Sequence, residues 1–293
     1  MIRKLLLATL ILVITAGALY WVFYPENVLE FVVGVNKNLK EVKKADIGQT
    51  ISKISSEILA PTPLNVGGAP KNTVLLKSKI ILETNIARQE NGGLLALKEN
   101  QQLYAAALTK ANDMFLNQYF EHESPTGVDP GSLIKAHGYQ YITVGENLIL
   151  GNFASEKEVV DAWMNSPGHR ANILNNRYTE IGVAVVKGTY QGDTVWIGVQ
   201  EFGLPMAACP HPDEQLKDKI DVTRAQLEQI GVQIEELKKQ IDQTDSRSDA
   251  YEQMVDDYNA LVAKYNALVQ ETKDNISTYN VEVNTFNNCV AGN

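Results

Sequence analysis

The stretch SPGHRANILNNRYTEIGVAVV, residues 166–186, contains the features that decide the fold of this chain. It begins with a Ser-Pro-Gly bend, places one of only four histidines, His169, directly before an arginine, and ends in a run rich in valine and isoleucine. Such a run predicts a β-strand, and DTVWIGVQEFG at 193–203 predicts a second strand after a glycine-bearing turn. The stretch therefore predicts a β-hairpin preceded by a histidine-bearing loop.

Three amphipathic helices are predicted upstream of this hairpin. Apolar residues recur at helical spacing in KIILETNIARQENGG (79–93) and in ENQQLYAAALTKANDMFLNQYF (99–120). A third helix, SEKEVVDAWMNS, begins with Ser155 as its N-cap. Helices followed by a hairpin, whose sheet needs a cover on its face, predict a layered α+β domain over residues 78–204.

The first part of the chain predicts a membrane anchor and a tether. Residues 1–24 include an uncharged stretch, 5–23, which as a helix would span about 28 Å, close to the hydrocarbon thickness of a bilayer. Aromatic residues crowd its end, as in an interfacial belt. We favour a retained transmembrane signal-anchor; a cleaved signal peptide is the alternative, because TAGA at 15–18 supplies small residues. Residues 25–77 predict a linker, since APTPLNVGGAP is rich in proline and glycine.

The C-terminal segment, residues 209–289, predicts an antiparallel helical hairpin. Apolar residues recur at intervals of three and four over 216–241 and again over 251–286, with the polar break TDSRSDA between the two arms. The two cysteines of the chain, Cys209 and Cys289, bracket the segment, so we expect a disulfide that closes the hairpin in an oxidising compartment. Two alternatives stay open: the cysteines are free buried thiols, or the arms pair between chains.

The charge distribution excludes a nucleic-acid-binding class. The formal net charge is −9, and residues 210–293 hold 16 acidic against 8 basic residues. Neither this tail nor the nearly neutral remainder offers a basic stripe. Together with the cysteines, the predicted anchor indicates a single-pass protein of the cell membrane with most of the chain outside the cytoplasm. Secretion after signal cleavage is the alternative.

Three polar stretches of the middle domain carry residues that suit chemistry. His122 lies in FEHESPTG, Glu146 in VGENL and His169 in SPGHRANIL, at intervals of 24 and 23 residues. These intervals exclude a local helical metal motif, but three loops could bring the side chains together. Two imidazoles and one carboxylate suit Zn²⁺ or another divalent metal, or acid–base chemistry near neutral pH. The alternative is a hydrogen-bonded structural imidazole, to which we assign His137 and His211.

The order of these motifs resembles the CAP superfamily, the SCP-like family of cysteine-rich secretory, antigen 5 and pathogenesis-related proteins, in its bacterial form. HESPTG, GENL and SPGHRANIL follow one another, NIARQ with Asn85 and Arg88 precedes them, and WIGVQEFG follows. The resemblance covers about 125 of the 293 residues. It implies an α-β-α sandwich as the fold of the middle domain.

The resemblance also implies a cleft that gathers two histidines and two acidic residues. His122 matches the first histidine, Glu146 the glutamate of the GEN motif and His169 the second histidine, with Asn147 as a hydrogen-bonding neighbour. Some members bind a divalent metal through the two histidines. Ser166 stands at the position of the other acidic residue, so the four-residue cleft is incomplete. We expect the matched side chains to share one solvent-open pocket.

Three functions are consistent with this sequence. The leading hypothesis is a membrane-anchored extracytoplasmic binding module whose cleft takes a lipid, glycan, peptide or divalent metal. The first alternative is a metal-dependent hydrolase, with His122, Glu146 and His169 as the candidate catalytic residues. The domain has no cysteine and no G-x-S-x-G nucleophile motif, which argues against an enzyme. The second alternative is an envelope scaffold that contacts a protein partner through the helical hairpin.

Overall fold

A computed structural model describes residues 57–69 and 71–292. Within these ranges, no helix is both long and apolar enough to cross a membrane. The predicted signal-anchor, residues 1–24, lies outside the described residues, as does the first part of the predicted linker. The described residues divide into two compact units, one containing 57–69, 71–210 and 286–292 and the other containing 211–285.

The first unit alternates strands and helices around one sheet. Its elements in chain order are β1 Glu57–Leu59, β2 Leu64–Gly67, α1 Lys77–Glu90, β3 Lys98–Glu99, α2 Gln101–Asn117, α3 Pro130–Ala136, β4 Tyr141–Gly151, α4 Glu156–Asn165, α5 Pro167–Ile173, β5 Glu180–Tyr190 and β6 Asp193–Pro205. The strand order is β1-β4-β6-β5-β3, and β2 pairs with β4 beside β1. The predicted hairpin is β5 and β6, which pair antiparallel over their whole length.

Helices cover both faces of this sheet because its strands alternate apolar residues toward each face. On one face, Ile149, Val183 and Phe202 pack with α1, α4 and α5. On the other face, strand residues such as Leu148 and Val199 pack with α2. The predicted α+β class is confirmed, and the arrangement is a helix–sheet–helix sandwich with a core in each interlayer.

Local capping explains where the site-bearing helices begin. The side chain of Asn100 accepts hydrogen bonds from the backbone N–H groups of Gln102 and Leu103 at the start of α2. Ser155 caps α4 by accepting from the N–H of Glu158 at 3.2 Å, as its sequence position predicts. The Ser-Pro-Gly bend ends α4 and begins α5, with proline in the first turn, where a missing N–H costs nothing.

The predicted linker, residues 25–77, is wrong for its final part. Residues 57–59 and 64–67 form β1 and β2, which extend the sheet by pairing in parallel with β4. Ile58, Leu59 and Leu64 pack partly buried against the apolar clusters of the sandwich. The composition of the segment is that of a turn-rich tether, but edge pairing and three apolar side chains are enough to order it against β4.

The second unit contains α6, Glu214–Gln243, and most of α7, Asp249–Ala291. The helices run antiparallel: Lys219 Nζ lies 2.7 Å from Glu271 Oε1, and the Asp213 N–H donates to Glu282 at 2.9 Å. Buried residues of both helices form one apolar cluster: Ile220, Leu227, Ile230, Ile234, Tyr258, Tyr265, Val269, Ile276, Tyr279 and Val283. The predicted heptad positions therefore supply this core within one chain.

The predicted disulfide is confirmed. Cys209 and Cys289 are joined, with their Cα atoms 5.7 Å apart. Both belong to the first unit, which also contains the end of the chain from Phe286. Phe286 and Cys209 are buried together with Ile142 of β4. The last residues of the predicted hairpin segment, 209–289, thus pack with the first unit, although α7 continues to Ala291.

Candidate functional site

Strand β4 carries the two central residues of the GEN motif on opposite faces of the sheet. Consecutive strand residues point to opposite sides, so Glu146 lies on the α2 face and Asn147 on the α5 face. Both side chains are fully buried. Gly145 precedes them because a Cβ there would collide with the Tyr178 hydroxyl and would lie 2.7 Å from Asn172 Oδ1.

His122 is held between two acceptors. Its Nδ1 lies 2.6 Å from Glu146 Oε1, and its Nε2 lies against the main-chain carbonyl oxygen of Pro61. Glu146 therefore fixes the orientation of the ring, and Nε2 faces a main-chain acceptor. The His122 side chain retains 14% of its exposure, whereas that of Glu146 retains none.

Glu201 stands directly opposite Glu146, and our sequence analysis did not identify it. The two residues pair across β4 and β6 and lie on the same face. Burial raises the pKa of Glu201 well above its usual range, and the neighbouring Glu146 charge and a hydrogen bond to Glu146 raise it further. The sequence does contain a signal for Glu201. It occupies the next position in the alternating series of apolar residues that predicts one face of the strand: Val195, Ile197 and Val199.

Lys110 of α2 supplies the positive charge beneath this acidic pair. Its Nζ donates to the main-chain oxygen of His122 at 2.5 Å and to the Tyr119 hydroxyl at 3.2 Å. Burial lowers the pKa of Lys110, and the charges of Glu146 and Glu201 oppose that effect. Lys110 thereby ties the His122 loop to α2 and partly compensates the buried carboxyls.

His169 does not join the His122–Glu146 pair through hydrogen bonds. It is 1% exposed, and its Nδ1 lies 2.8 Å from Ser166 Oγ at the start of α5. Burial lowers the pKa of His169 to about 4, with a further lowering by the charge of His122. The imidazole is therefore neutral at neutral pH. Asn147 donates to the main-chain oxygen of His169 at 3.2 Å, so it positions the backbone of α5.

The predicted solvent-open pocket is wrong. Glu146 and His169 are sealed from water, and residues before β2 cover His122. A cavity of about 200 Å³ is lined by residues of α2, Lys110 among them, by the loop that follows α2 and by Leu133 of α3. None of the three matched residues lines it. β1 and β2 extend the sheet beyond β4, and Pro61 between them covers His122.

The arrangement does not fit the zinc ion that we expected at His122 and His169. Both nitrogens of His122 face acceptors, and one nitrogen of His169 is engaged with Ser166. In the part of the chain that the structure describes, no three His, Cys, Asp or Glu residues gather in a way that could hold a metal ion. A tetrahedral site needs at least three protein ligands.

Buried polar residues around the site fix the loops that surround it. Arg88, 1% exposed, donates to the main-chain oxygens of Leu95, Ile173 and Asn175 at 2.7–3.0 Å. Asn85 exchanges two hydrogen bonds with the backbone of Leu97. These contacts hold the end of α5 against α1, which places His169 and Asn172.

Comparison with known proteins assigns this sandwich to a class. Residues 82–202 match the model of the family described as CAP, the cysteine-rich secretory protein family. They contain the His–Glu pair, the GEN strand and the histidine-bearing bend. This segment of the chain is a CAP domain.

The chain is also similar to two curated proteins and to one protein of known structure. YkwD of Bacillus subtilis, an uncharacterized protein, is 43% identical over 134 residues, covering 46% of this chain and 49% of YkwD. YlbC of the same organism, an uncharacterized membrane protein, is 28% identical, covering 46% of this chain and 38% of YlbC. A Bacillus anthracis extracellular protein containing an SCP domain is 31% identical with a TM-score of 0.37, covering 43% of this chain and 39% of that one. This chain thus spans half or less of the length of the curated relatives it matches.

Proposed function

We propose that this chain is an extracytoplasmic binding module in which His122 of the CAP domain is the central ligand contact. The single observation that carries the proposal is the orientation of His122: the buried Glu146 holds Nδ1, and Nε2 contacts a main-chain carbonyl of Pro61 as it would contact a carbonyl of a ligand. An imidazole ring oriented by a buried carboxyl group is a preorganised hydrogen-bonding group. Its neighbour Glu201 keeps a proton, so the pair carries little excess negative charge that would repel a carbonyl or an anionic ligand.

The location outside the cytoplasm is supported by the disulfide between Cys209 and Cys289. Structural disulfides persist in oxidising compartments and are rare in reducing ones. The apolar stretch at 5–23 supports tethering to the membrane as part of the same proposal. One of the relatives is described as a membrane protein and another as extracellular, which agrees with this proposal.

A hydrolytic role receives less support from the geometry. Glu146 Oε1 is occupied by His122, and the buried His169 is a weak base with its pKa near 4. Ser166 contacts His169, but its partner is Nδ1, and the other ring nitrogen makes no hydrogen bond within the described residues. The Ser–His pair therefore lacks the third residue that orients a catalytic imidazole.

A binding screen tests the proposed function. The full chain is passed over immobilised lipids, glycans and extended peptides, with His122→Ala as the matched variant. We expect one ligand class to be retained by the wild type and lost at least tenfold with His122→Ala. Hydrolysis of a panel of peptides and esters is measured for the wild type and for Glu146→Gln. Turnover by the wild type that Glu146→Gln abolishes would contradict the binding proposal and indicate a hydrolase.

A further inference from the structure

We propose that the outer edge of β4 is a binding site for an extended, proline-containing peptide, and that residues 57–68 occupy this site in cis. We call these residues the cis segment. The inference rests on the proposed function and names its ligand class. It concerns the first unit alone, since the cis segment and β4 both belong to it.

The cis segment follows β4 in two stretches and leaves it in between. Leu59 pairs with Gly145, and Leu64 pairs with Ile149, so five steps along the cis segment match four along β4. The four residues between the strands, 60–63, thus pass over the position of Glu146. Two of the four are prolines, which lack the N–H that a continuous ladder would need. The break in pairing falls where the side chain of His122 reaches the backbone.

Three side chains of the sandwich donate to main-chain oxygens of the cis segment. Asn172 donates to Leu59 at 3.0 Å, and Asn152 donates to Gly68 at 3.1 Å. Between them, His122 Nε2 contacts the oxygen of Pro61. Asn172 and Asn152 are buried, and His122 is nearly so. A row of preoriented donors that contacts backbone oxygens is typical of sites that bind peptides by strand addition.

The surface beneath Pro61 is shaped for its ring. A Cβ added to Gly168, in the first turn of α5, would lie 2.6 Å from Pro61 Cβ. Real atoms do not approach so closely, so the glycine of the Ser-Pro-Gly bend leaves the space that the proline fills. The backbone of Gly168 is helical, and an alanine there would block the site without backbone strain. Gly168→Ala is therefore a selective steric test of the site.

The cis segment is held weakly compared with the rest of the sheet. None of residues 58–68 is fully buried, whereas every residue of β4 is. Three half-buried apolar side chains, Ile58, Leu59 and Leu64, provide its packing. A covalently attached occupant has an effective concentration in the millimolar range or above, so a competing peptide binds measurably only when the attached one is weakened.

The experiment weakens the cis segment and offers a replacement. Leu59→Ser/Leu64→Ser is made in the full chain, and a fluorescein-labelled synthetic peptide of residues 57–68 is titrated by anisotropy. We expect the variant to bind the peptide at least tenfold more tightly than the wild type, and a third change, Gly168→Ala, to abolish binding. Leu95→Ser/Leu116→Ser, at two strongly exposed leucines elsewhere in the unit, is the matched control and should behave as the wild type.

The outcomes separate the peptide site from the proposed function. Folding of each variant is checked by near-UV circular dichroism, and absence of peptide binding to the folded Leu59→Ser/Leu64→Ser chain overturns the inference. Peptide binding that persists in the Gly168→Ala variant also overturns it. A dimer that exchanges cis segments between chains and does not dissociate when peptide is added overturns it as well. Retention of a lipid or glycan in a His122-dependent way would keep the proposed binding module and reject only the peptide.

A second measurement does not depend on the double variant. In hydrogen exchange of the full chain, Gly168→Ala alone should speed exchange of amides in 57–68 at least tenfold. Amides of the β5–β6 pairing should keep their wild-type rates, because they lie away from Pro61. Unchanged exchange in the cis segment would show that the contact between Gly168 and Pro61 does not hold it, and would overturn the inference.

Discussion

Glu146 and Glu201 face each other across β4 and β6 with both carboxyl groups fully buried, and the pKa of Glu201 is raised well above its usual range. Burial is the largest cause of this rise, followed by the charge of Glu146 and a hydrogen bond between the two carboxyl groups. Burial lowers the pKa of the neighbouring Lys110, and the charges of Glu146 and Glu201 oppose that effect. The free energy of unfolding should therefore depend on pH through these buried groups.

The first prediction concerns the alkaline side of the stability profile. Glu201 keeps its proton in the folded chain at pH values where the unfolded chain has released it, near 4.5. The free energy of unfolding should therefore decrease as pH rises above 4.5. Glu201→Gln, whose amide can donate to Glu146, should flatten this decrease in urea unfolding between pH 5 and 8. Parallel profiles for the two proteins would contradict the raised pKa of Glu201.

The second prediction concerns the acid side. His169 binds a proton near pH 4 when folded and near 6.5 when unfolded. Because the unfolded chain takes up the proton first, stability should be lost as pH falls from 6.5 toward 4, by about 3 kcal/mol at most. His169→Asn, which keeps a polar group near Ser166, should lose less stability over this interval. Thermal unfolding at matched ionic strength measures the difference, and an equal loss in both proteins would argue against a buried neutral imidazole.

The third prediction concerns the disulfide. The bond joins residues 80 positions apart, so opening it frees a long loop in the unfolded chain. Cys209→Ser/Cys289→Ser should lower the free energy of unfolding by about 4 kcal/mol in the chain-entropy model. Hydrogen exchange should show the release of 286–292, since Phe286 packs beside the bond. The wild type under reducing conditions is the control; stability equal to that of the oxidised chain would contradict the prediction.

The fourth prediction concerns Arg88. Its guanidinium donates to three main-chain oxygens and is almost wholly buried. Arg88→Lys keeps the charge but cannot reach all three acceptors, so we expect a loss of about 2–4 kcal/mol in urea unfolding. Arg170→Lys is the matched control, because Arg170 makes an exposed contact to Asn91 and should cost about 0.5 kcal/mol or less. Equal effects of the two changes would show that burial of Arg88 adds nothing.

The fifth prediction concerns metal. With His122 engaged at both nitrogens and no three-ligand cluster in the described ranges, we expect no stoichiometric zinc binding by the full chain in calorimetric titration. His122→Ala and His169→Ala should titrate as the wild type does. Tight binding that either change removes would mean that the imidazoles rearrange to accept a metal.

The local signals in the sequence were sufficient for the elements that depend on local physics. Ser155 caps its helix, the valine-rich run forms β5, and the heptad seam packs within one chain because capping and periodicity act over a few residues. The motifs also brought His122 and Glu146 together as the resemblance implied. Glu201 escaped notice because its partner lies 55 residues away and only strand register shows that the two are neighbours.

What the sequence by itself determined was the CAP domain, the helical hairpin and the pairing of Cys209 with Cys289, since each follows from periodicity, motif order or cysteine count. Only the tertiary structure decided that residues 57–68 join the sheet, that His122 is covered by Pro61 and that the chain end returns to the sandwich. Those outcomes depend on strand pairing along the edge of β4 and on contacts between a few apolar side chains that are distant in sequence. The composition of a proline-rich stretch predicts a linker. Whether it pairs with a sheet depends on a strand edge and hydrogen-bond donors that only the tertiary structure places beside it.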